Sequence, residues 1–210
     1  LDLLKDFALM RNKMNDKKYF DKYNILKLNN YSQKDNGFYK KCMESNFSKA
    51  SGILKKLDKY QSKEVENFKE IFKSLRISAK YIFFYPAQFW SHKNHKYIID
   101  IIKFIKKSDR EDIKVIFTGH DKGNKSYISR AINDENLNEN LIILDYISDK
   151  ELISLYLNCS ALIMPTFVGH STLPLYEAFY FKLPVFFTEG LLDDKLRDLV
   201  YEIDIYKPNN

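Results

Sequence analysis

Residues 81–107 read YIFFYPAQFWSHKNHKYIIDIIKFIKK and place an apolar run, a polar loop and an apolar stripe one after another. The run at 81–85 is unbroken and stops at Pro86, which is typical of a strand buried on both faces. From residue 94 to 107, apolar side chains recur at the spacing of one helix face. The segment therefore predicts a strand, a loop and a helix.

The same alternation continues almost to the end of the chain. Ser148 and Glu151 form the capping-box pattern that marks a helix start. Apolar strands between amphipathic helices predict an α/β fold, a doubly wound Rossmann-like parallel sheet. Beyond the first unit, strands are predicted at 113–118, 140–146, 161–164 and 184–188, with helices at 124–136, 149–158, 173–181 and 192–200.

Residues 1–78 differ from residues 79–210. They are polar and rich in Lys, and helical spacing at 38–57 and 62–75 predicts a mainly helical segment. We therefore expect two parts, a partial helical N-terminal segment at 1–78 and an α/β domain at 79–210. Because the chain starts at Leu1 and stops at Asn210, we interpret it as a fragment.

Composition excludes several classes of protein. The net charge of +6 comes from Lys spread along all 210 residues, whereas nucleic-acid-binding domains gather their charge into a patch. Cys42 and Cys159 are far apart and suggest neither a disulfide framework nor a zinc site, which fits a reducing compartment. With neither a signal peptide nor an 18-residue apolar run, we expect a cytoplasmic protein. Contact with the inner face of the membrane is an open alternative.

Ligands of doubly wound sheets bind beyond the carboxyl ends of the strands, so the loops there are the candidate site. Lys93 lies just before a predicted helix, where its ammonium and the helix N-terminus favour a phosphate. The alternative is a solvated Lys in a capping loop. His92 and His95 lack an accompanying carboxylate or Cys, so we expect no metal site.

Two further loops carry candidate residues. The segment 118–124 holds Gly119, where backbone turns tightly or a ligand approaches, but no dinucleotide or P-loop fingerprint. In the segment 164–178, free N–H groups of the helix that starts near Leu173 suit a pyrophosphate. Glu177, one turn in, suits a ribose diol. The alternative is a first-turn Glu that merely complements the helix dipole. We expect replacement of Glu177 by Ala to leave thermal stability nearly unchanged, because a first-turn Glu is replaceable structurally.

Together these segments resemble the retaining glycosyltransferases of family 4, which have the GT-B fold. The resemblance covers residues from about 80 to 208 and rests on residues 85–95, 119–127, 145–152 and 173–185. It implies that the α/β domain is the C-terminal, nucleotide-sugar-binding half of a GT-B fold.

The resemblance also implies residue roles. Glu177 would bind the ribose, Lys93 the diphosphate, and the turn at Tyr146 and Ile147 the base. The backbone from His170 to Leu173 would hold phosphates and part of the sugar. The donor-binding residues implied are Gln88, Lys93, Gly119, Tyr146, Ile147, Gly169, His170, Ser171, Thr172, Leu173 and Glu177.

Two positions depart from the family pattern. Gly169 stands where the family often has the first of two glutamates eight positions apart, which puts recognition of the sugar hydroxyls in doubt. Gln88 stands where an Arg commonly precedes the phosphate-binding Lys by five positions. One of two usual cations is therefore missing, unless His92 or His95 supplies the charge.

We expect an enzyme that transfers a sugar, with retention, from a nucleoside diphosphate sugar to a glycan or lipid-linked acceptor. No residue is a credible general base or nucleophile. The work would be electrostatic, without metal or other cofactor, and the catalytic residues would be shared with a missing N-terminal domain. The chain alone would then bind donor without transferring it. The alternatives are an inactive nucleotide-sugar-binding module and, less favoured, a GT-B epimerase or phosphorylase.

Overall fold

The fold was analysed in a computed structural model, which describes residues 70–106, 113–168, 173–181, 183–197 and 199–206. Its core is built from the apolar strands that the sequence shows. Phe84, Ile116 and Leu162, from three different strands, are fully buried. Strands covered on both faces bury nearly every side chain, and each large apolar side chain contributes roughly 1.5–3 kcal/mol.

Strands and helices alternate along the whole described domain. A 3-10 turn at Ser91–Lys93 separates the first strand from the first helix. The elements are β1 (Tyr81–Pro86), α1 (His95–Lys106), β2 (Ile113–Thr118), α2 (Lys125–Asp134), β3 (Leu141–Leu144), α3 (Asp149–Asn158), β4 (Ala161–Met164), α4 (Leu173–Tyr180), β5 (Val185–Thr188), α5 (Asp194–Arg197) and β6 (Tyr201–Ile203).

The six strands form one sheet in the order β3-β2-β1-β4-β5-β6, and every neighbouring pair is parallel. β1 is central: Phe84 aligns with Ile116 of β2 on one side and with Leu162 of β4 on the other. This confirms the predicted doubly wound, Rossmann-like α/β fold. The strand order reverses between β1 and β4, and the carboxyl ends of these two strands are where folds of this kind have their ligand crevice.

The predicted strands at 113–118 and 161–164 and the capping box of α3 are confirmed. The C-terminal prediction was wrong, because the helix expected at 192–200 is the single turn α5, followed by a sixth strand. The Asp193 carboxylate caps that turn by accepting from the Leu196 N–H at 3.1 Å. Tyr201 then pairs with Phe186 of β5. A strand of three residues is too short to show a period in the sequence.

Most of the predicted N-terminal segment lies outside the described residues, and so does Cys42. Within the described part of that segment, residues 70–74 are helical. Cys159 is buried, as expected of a small core residue. None of the helices in the described part of the chain is both long and apolar enough to cross a membrane.

Candidate functional site

The crevice is bounded by the loops that follow β1 and β4, and these loops are joined directly. The Phe167 N–H donates to the carbonyl oxygen of His92 at 2.9 Å. The buried Thr166 hydroxyl lies 2.6 Å from the Val168 carbonyl and 3.1 Å from that of His92. Thr188, the last residue of β5, donates to the Thr166 carbonyl at 2.8 Å. Breaking a hydrogen bond between buried groups is unfavourable, because it leaves a polar atom without a partner. These bonds therefore hold the floor of the crevice in one shape.

Lys93 occupies the place that the sequence predicts, at the end of the 3-10 turn and just before α1. Its carbonyl accepts a 2.8 Å hydrogen bond from the Tyr85 hydroxyl. Burial raises the pKa of Tyr85 far above its ordinary value, so Tyr85 stays a neutral donor. The Lys93 side chain is half-buried, which lowers its pKa. Within the described residues it has no ion-pair partner, so a positive charge stands at the crevice incompletely neutralised.

The two histidines beside Lys93 do not replace the missing cation. His95 is fully buried, and its pKa falls to about 4, mainly through burial and also through the charge of Lys93, although the Ala87 backbone raises it in part. Burial and Lys93 likewise lower the pKa of His92. The expectation that His95 could supply charge was therefore wrong, because it is neutral near pH 7.

Gln88 is exposed, and its side-chain oxygen accepts a 2.9 Å hydrogen bond from the indole nitrogen of Trp90. The Lys122 ammonium lies 5.8 Å from the centre of the Trp90 ring, within cation–π range. Trp90 is 42% exposed. Gln88 thus orients an open aromatic face at the rim of the crevice.

Gly119 is the point where the loops after β1 and β2 touch. Its φ is +153°, and a Cβ there would overlap the Ala87 carbonyl and lie 2.8 Å from the Gln88 Cα. The Phe89 N–H donates to the His120 carbonyl at 3.0 Å alongside it. The sequence left open whether Gly119 admits a ligand or a tight backbone, and the structure shows close backbone packing.

We expect Gly119→Ala to destabilise the fold by about 2 kcal/mol, because the new methyl group forces two backbone segments apart. The control is Gly123→Ala, where φ is +93° but nothing lies within 4 Å of the added carbon. The control should destabilise the fold only through the strain of an alanine in a left-handed backbone conformation, by about 1 kcal/mol. Urea unfolding followed by far-UV circular dichroism measures both, and equal losses would contradict the packing role of Gly119.

Side chains hold the loop before α2 and cap the N-terminus of α3. The Asp121 carboxylate accepts from the Gly123 N–H at 2.8 Å and from the Lys125 N–H at 3.2 Å. These bonds lower the pKa of Asp121, the Gly123 bond most. The Ser148 hydroxyl accepts from the Glu151 N–H at 3.3 Å, completing the capping box of α3. One backbone N–H of each helix, that of Lys125 in α2 and that of Glu151 in α3, is therefore already bonded within the chain and does not serve a ligand.

The predicted base-binding turn lies beside the loop after β2. Tyr146 is 81% exposed, and its ring centre is 6.3 Å from that of His120. Ile147 is half-buried. Lys125, the first residue of α2, forms an ion pair with Asp145, which follows β3. An exposed aromatic ring backed by a second ring is a suitable platform for stacking a planar base.

Glu177 lies in the interior and is hydrogen-bonded to a neighbouring helix. It is 6% exposed, and its Oε2 accepts a 2.6 Å hydrogen bond from the Tyr156 hydroxyl of α3. Burial raises the pKa of Glu177 to about 7, against the opposing effect of the Tyr156 hydrogen bond. The expectation that Glu177 can be replaced by Ala with little change in thermal stability stays a prediction, and the burial of Glu177 and its hydrogen bond to Tyr156 stand against it. Its role toward ribose stays a prediction.

Sequence reasoning missed Tyr156, Tyr85 and Thr166, which hold Glu177 and the loops in place. In the sequence these three residues show only a hydroxyl side chain, and the group that each hydroxyl bonds to depends on packing. Leu173 is the first residue of α4 and is partly exposed. Gly169, His170, Ser171 and Thr172 lie outside the described residues. Among the described side chains, no group of three or more His, Cys, Asp or Glu comes together to hold a metal ion.

Several solved structures share this fold. The C-terminal domain of a glycosyl transferase group 1 family protein, LpcC from Francisella tularensis, has TM-score 0.53 and 20% identity, covering 66% of this chain and 75% of that domain. A glycosyltransferase from Rickettsia africae has TM-score 0.58 and 17% identity, covering 69% of this chain and 38% of the other. HepE from Anabaena, solved in complex with UDP, has TM-score 0.51 and 13% identity, with coverages of 60% and 34%.

At these identities the solved structures establish the fold alone, and the chain spans about a third of the longer ones. No curated protein matches the chain. The sequence model for the glycosyl transferases group 1 matches residues 67–191, more than half of the chain. That span contains the crevice loops, Lys93, Tyr156 and Glu177. The chain belongs to the glycosyl transferases group 1.

Proposed function

We propose that this chain carries the donor-binding half of a glycosyltransferase that uses a nucleoside diphosphate sugar. The observation that carries the proposal is Lys93, a half-buried cation at the topological switch point, unpaired within the described residues. We expect such a site to hold a diphosphate, because its charge can be shared between Lys93 and the expected free N–H groups before α4.

The exposed rings around the crevice support the nucleoside part of the proposal. Tyr146 offers a face for the base, and Glu177 offers a carboxylate oxygen for the ribose. HepE from Anabaena was solved with UDP, which makes UDP the first nucleotide to test. GDP is the second, because nothing in the described rim fixes the base.

For the whole protein we propose transfer of the sugar to a glycan or lipid-linked acceptor with retention of configuration. The described residues carry one parallel sheet, and a GT-B reaction uses both faces of a cleft. Departure of the diphosphate would be stabilised electrostatically by Lys93 and the start of α4, without a metal ion. The alternative is a nucleotide-sugar-binding module without transfer activity.

We expect the chain to bind UDP or GDP more tightly than the matching monophosphate in the presence of EDTA, and Lys93→Met to abolish that preference. Losing a hydrogen bond to a charged group costs about 1.5–3 kcal/mol, or roughly tenfold to a hundredfold in affinity. Isothermal titration calorimetry measures the affinities. Trp90, the only tryptophan of the chain, gives an independent fluorescence signal at the crevice rim.

The matched control is Lys96→Met, since Lys96 is one turn further along, partly exposed and paired with Asp100. It should leave both affinities unchanged. Equal binding of diphosphate and monophosphate by the unmodified chain would refute the diphosphate site. Equal losses in the two variants would show that the overall positive charge, and not Lys93, attracts the nucleotide.

A further inference from the structure

Tyr156 and Glu177 meet in the interior, on helices that flank β4 in the sequence. The Tyr156 hydroxyl is 2.6 Å from Oε2 of Glu177, and the two residues are 2% and 6% exposed. A polar pair at this depth needs a reason, because burying a carboxyl group is unfavourable unless its hydrogen bonds are satisfied. The pair is therefore a candidate for a role beyond packing.

The tyrosine ring is clamped between two aromatic rings. Phe84 of β1 meets it edge-on, with ring centres 5.3 Å apart, and Phe181 stacks on it at 5.3 Å with an interplanar angle of 11°. A ring held on two sides has one position for its hydroxyl. Burial raises the pKa of Tyr156 well above its ordinary value, and the nearby Glu177 and Cys159 add to this, so the hydroxyl keeps its proton and donates.

The hydrogen bond engages one oxygen of Glu177. Among the described residues, the Tyr156 bond is the hydrogen bond recorded for this carboxyl group, and it reaches Oε2. Oε1 is left to accept from another group. The Tyr156 bond also lowers the pKa that burial has raised, so it favours the carboxylate form, which accepts hydrogen bonds.

We propose that Tyr156 is a positioning residue of the nucleotide site, whose hydroxyl fixes Oε2 of Glu177 so that Oε1 points at a ribose hydroxyl. This inference rests on the proposed function, since it assumes that a nucleotide occupies the crevice. Tyr156 itself touches no ligand. It acts by removing the rotational freedom of a carboxylate that would otherwise be ordered only on binding, at a cost in affinity.

The test compares UDP with 2′-deoxy-UDP by calorimetry on the full 210-residue chain between pH 6 and 9. The unmodified chain should prefer UDP by about tenfold, a typical effect of one charge-assisted hydrogen bond. In Tyr156→Phe the preference should fall below about threefold, and the pH midpoint for UDP affinity should move upward. In Glu177→Gln the only pH dependence left should be that of the nucleotide phosphate and the basic groups around it, and it should be the same for UDP and 2′-deoxy-UDP. In a variant with 3-fluorotyrosine at position 156, a more acidic donor in the same ring, the midpoint should move downward.

The control is Tyr97→Phe, which also removes a buried hydroxyl, one that donates to the Asp204 carbonyl at 3.3 Å. It should change neither the ribose preference nor the midpoint. If Tyr156→Phe behaves like this control, Tyr156 is a packing residue and the inference is wrong. If the unmodified chain binds UDP and GDP without preferring ribose, the inference alone fails. If it binds neither nucleotide, the proposed function fails as well.

Discussion

Glu177→Gln should stabilise the domain by about 3 kcal/mol at pH 8 and leave its stability at pH 4 unchanged. The pKa of Glu177 is raised from 4.5 to about 7 in the fold by burial. Between those values the unfolded chain releases a proton that the folded chain retains, so stability is full below pH 4.5 and falls as pH rises through 7. A shift of this size corresponds to roughly 3 kcal/mol. Glutamine keeps an acceptor for Tyr156 and carries no charge.

Urea unfolding at half-unit intervals from pH 4 to 9, followed by far-UV circular dichroism, measures the effect. The matched control is Glu189→Gln, an exposed glutamate beyond β5 that should leave the curve unchanged. A Glu177→Gln variant that is less stable than the unmodified chain at pH 8 would show that the carboxylate is stabilised by charge, and would contradict its burial as the dominant effect. The variant should also bind nucleotide more weakly, so stability and binding change in opposite directions.

A substitution that raises stability and weakens binding is typical of a functional site. A buried carboxyl group with a pKa near 7 destabilises the folded state at neutral pH, and perturbed values of this kind concentrate where proteins bind or react. A glutamine at position 177 would satisfy the same tyrosine without the penalty. The presence of the less stable residue is consistent with a ligand that needs the carboxylate.

The elements of the sheet could be predicted because each strand is an apolar run and each helix shows one apolar face. Pro86 and the stripe of α1 bracket the first loop, so the position of Lys93 before a helix could also be predicted. Both signals are local. Predicted strand ends differ from the observed ones by up to two residues, as at 140–146 against Leu141–Leu144. The reason is that no local pattern marks where a strand passes into its loop.

The setting of the site residues could not be predicted in the same way. Glu177 is 21 positions from Tyr156, and their contact depends on how α3 and α4 pack. Gly119 is needed because of the backbone at Ala87 and Gln88, which the sheet register brings alongside. The sequence supplied residue types suited to a nucleotide, whereas burial and pairing are properties of the assembled layers.

His95 is the second buried group whose ionisation should control stability, with the opposite sign. Its imidazole stacks on Phe89 with ring centres 4.7 Å apart, and the rings of Tyr85 and Phe117 lie at 4.9 Å and 5.1 Å. Neither ring nitrogen has a well-formed hydrogen bond to the described residues. Protonating the ring would place a charge among aromatic side chains and beside Lys93, which is why its pKa falls to about 4.

We therefore expect the unmodified chain to lose about 3 kcal/mol from this residue between pH 6.5 and 4, and His95→Met to abolish that loss. The unfolded chain binds a proton near pH 6.5, whereas the folded chain resists it until about 4, so stability from this group is full above 6.5 and is lost as pH falls. Methionine is similar in volume and packs well against aromatic rings. The exposed His120, replaced by Gln, is the control.

The two groups act against each other between pH 4.5 and 6.5, where Glu177 stabilises and His95 destabilises the fold as pH falls. The unmodified chain should therefore show a shallow stability curve in this range. Glu177→Gln should make the curve fall steeply toward acid, and His95→Met should make it rise, each by about 3 kcal/mol over the range. The double variant should be shallow again where the two groups titrate independently, because the effects of independent sites add. Single-variant curves that run parallel to that of the unmodified chain would show that neither group titrates as its burial requires.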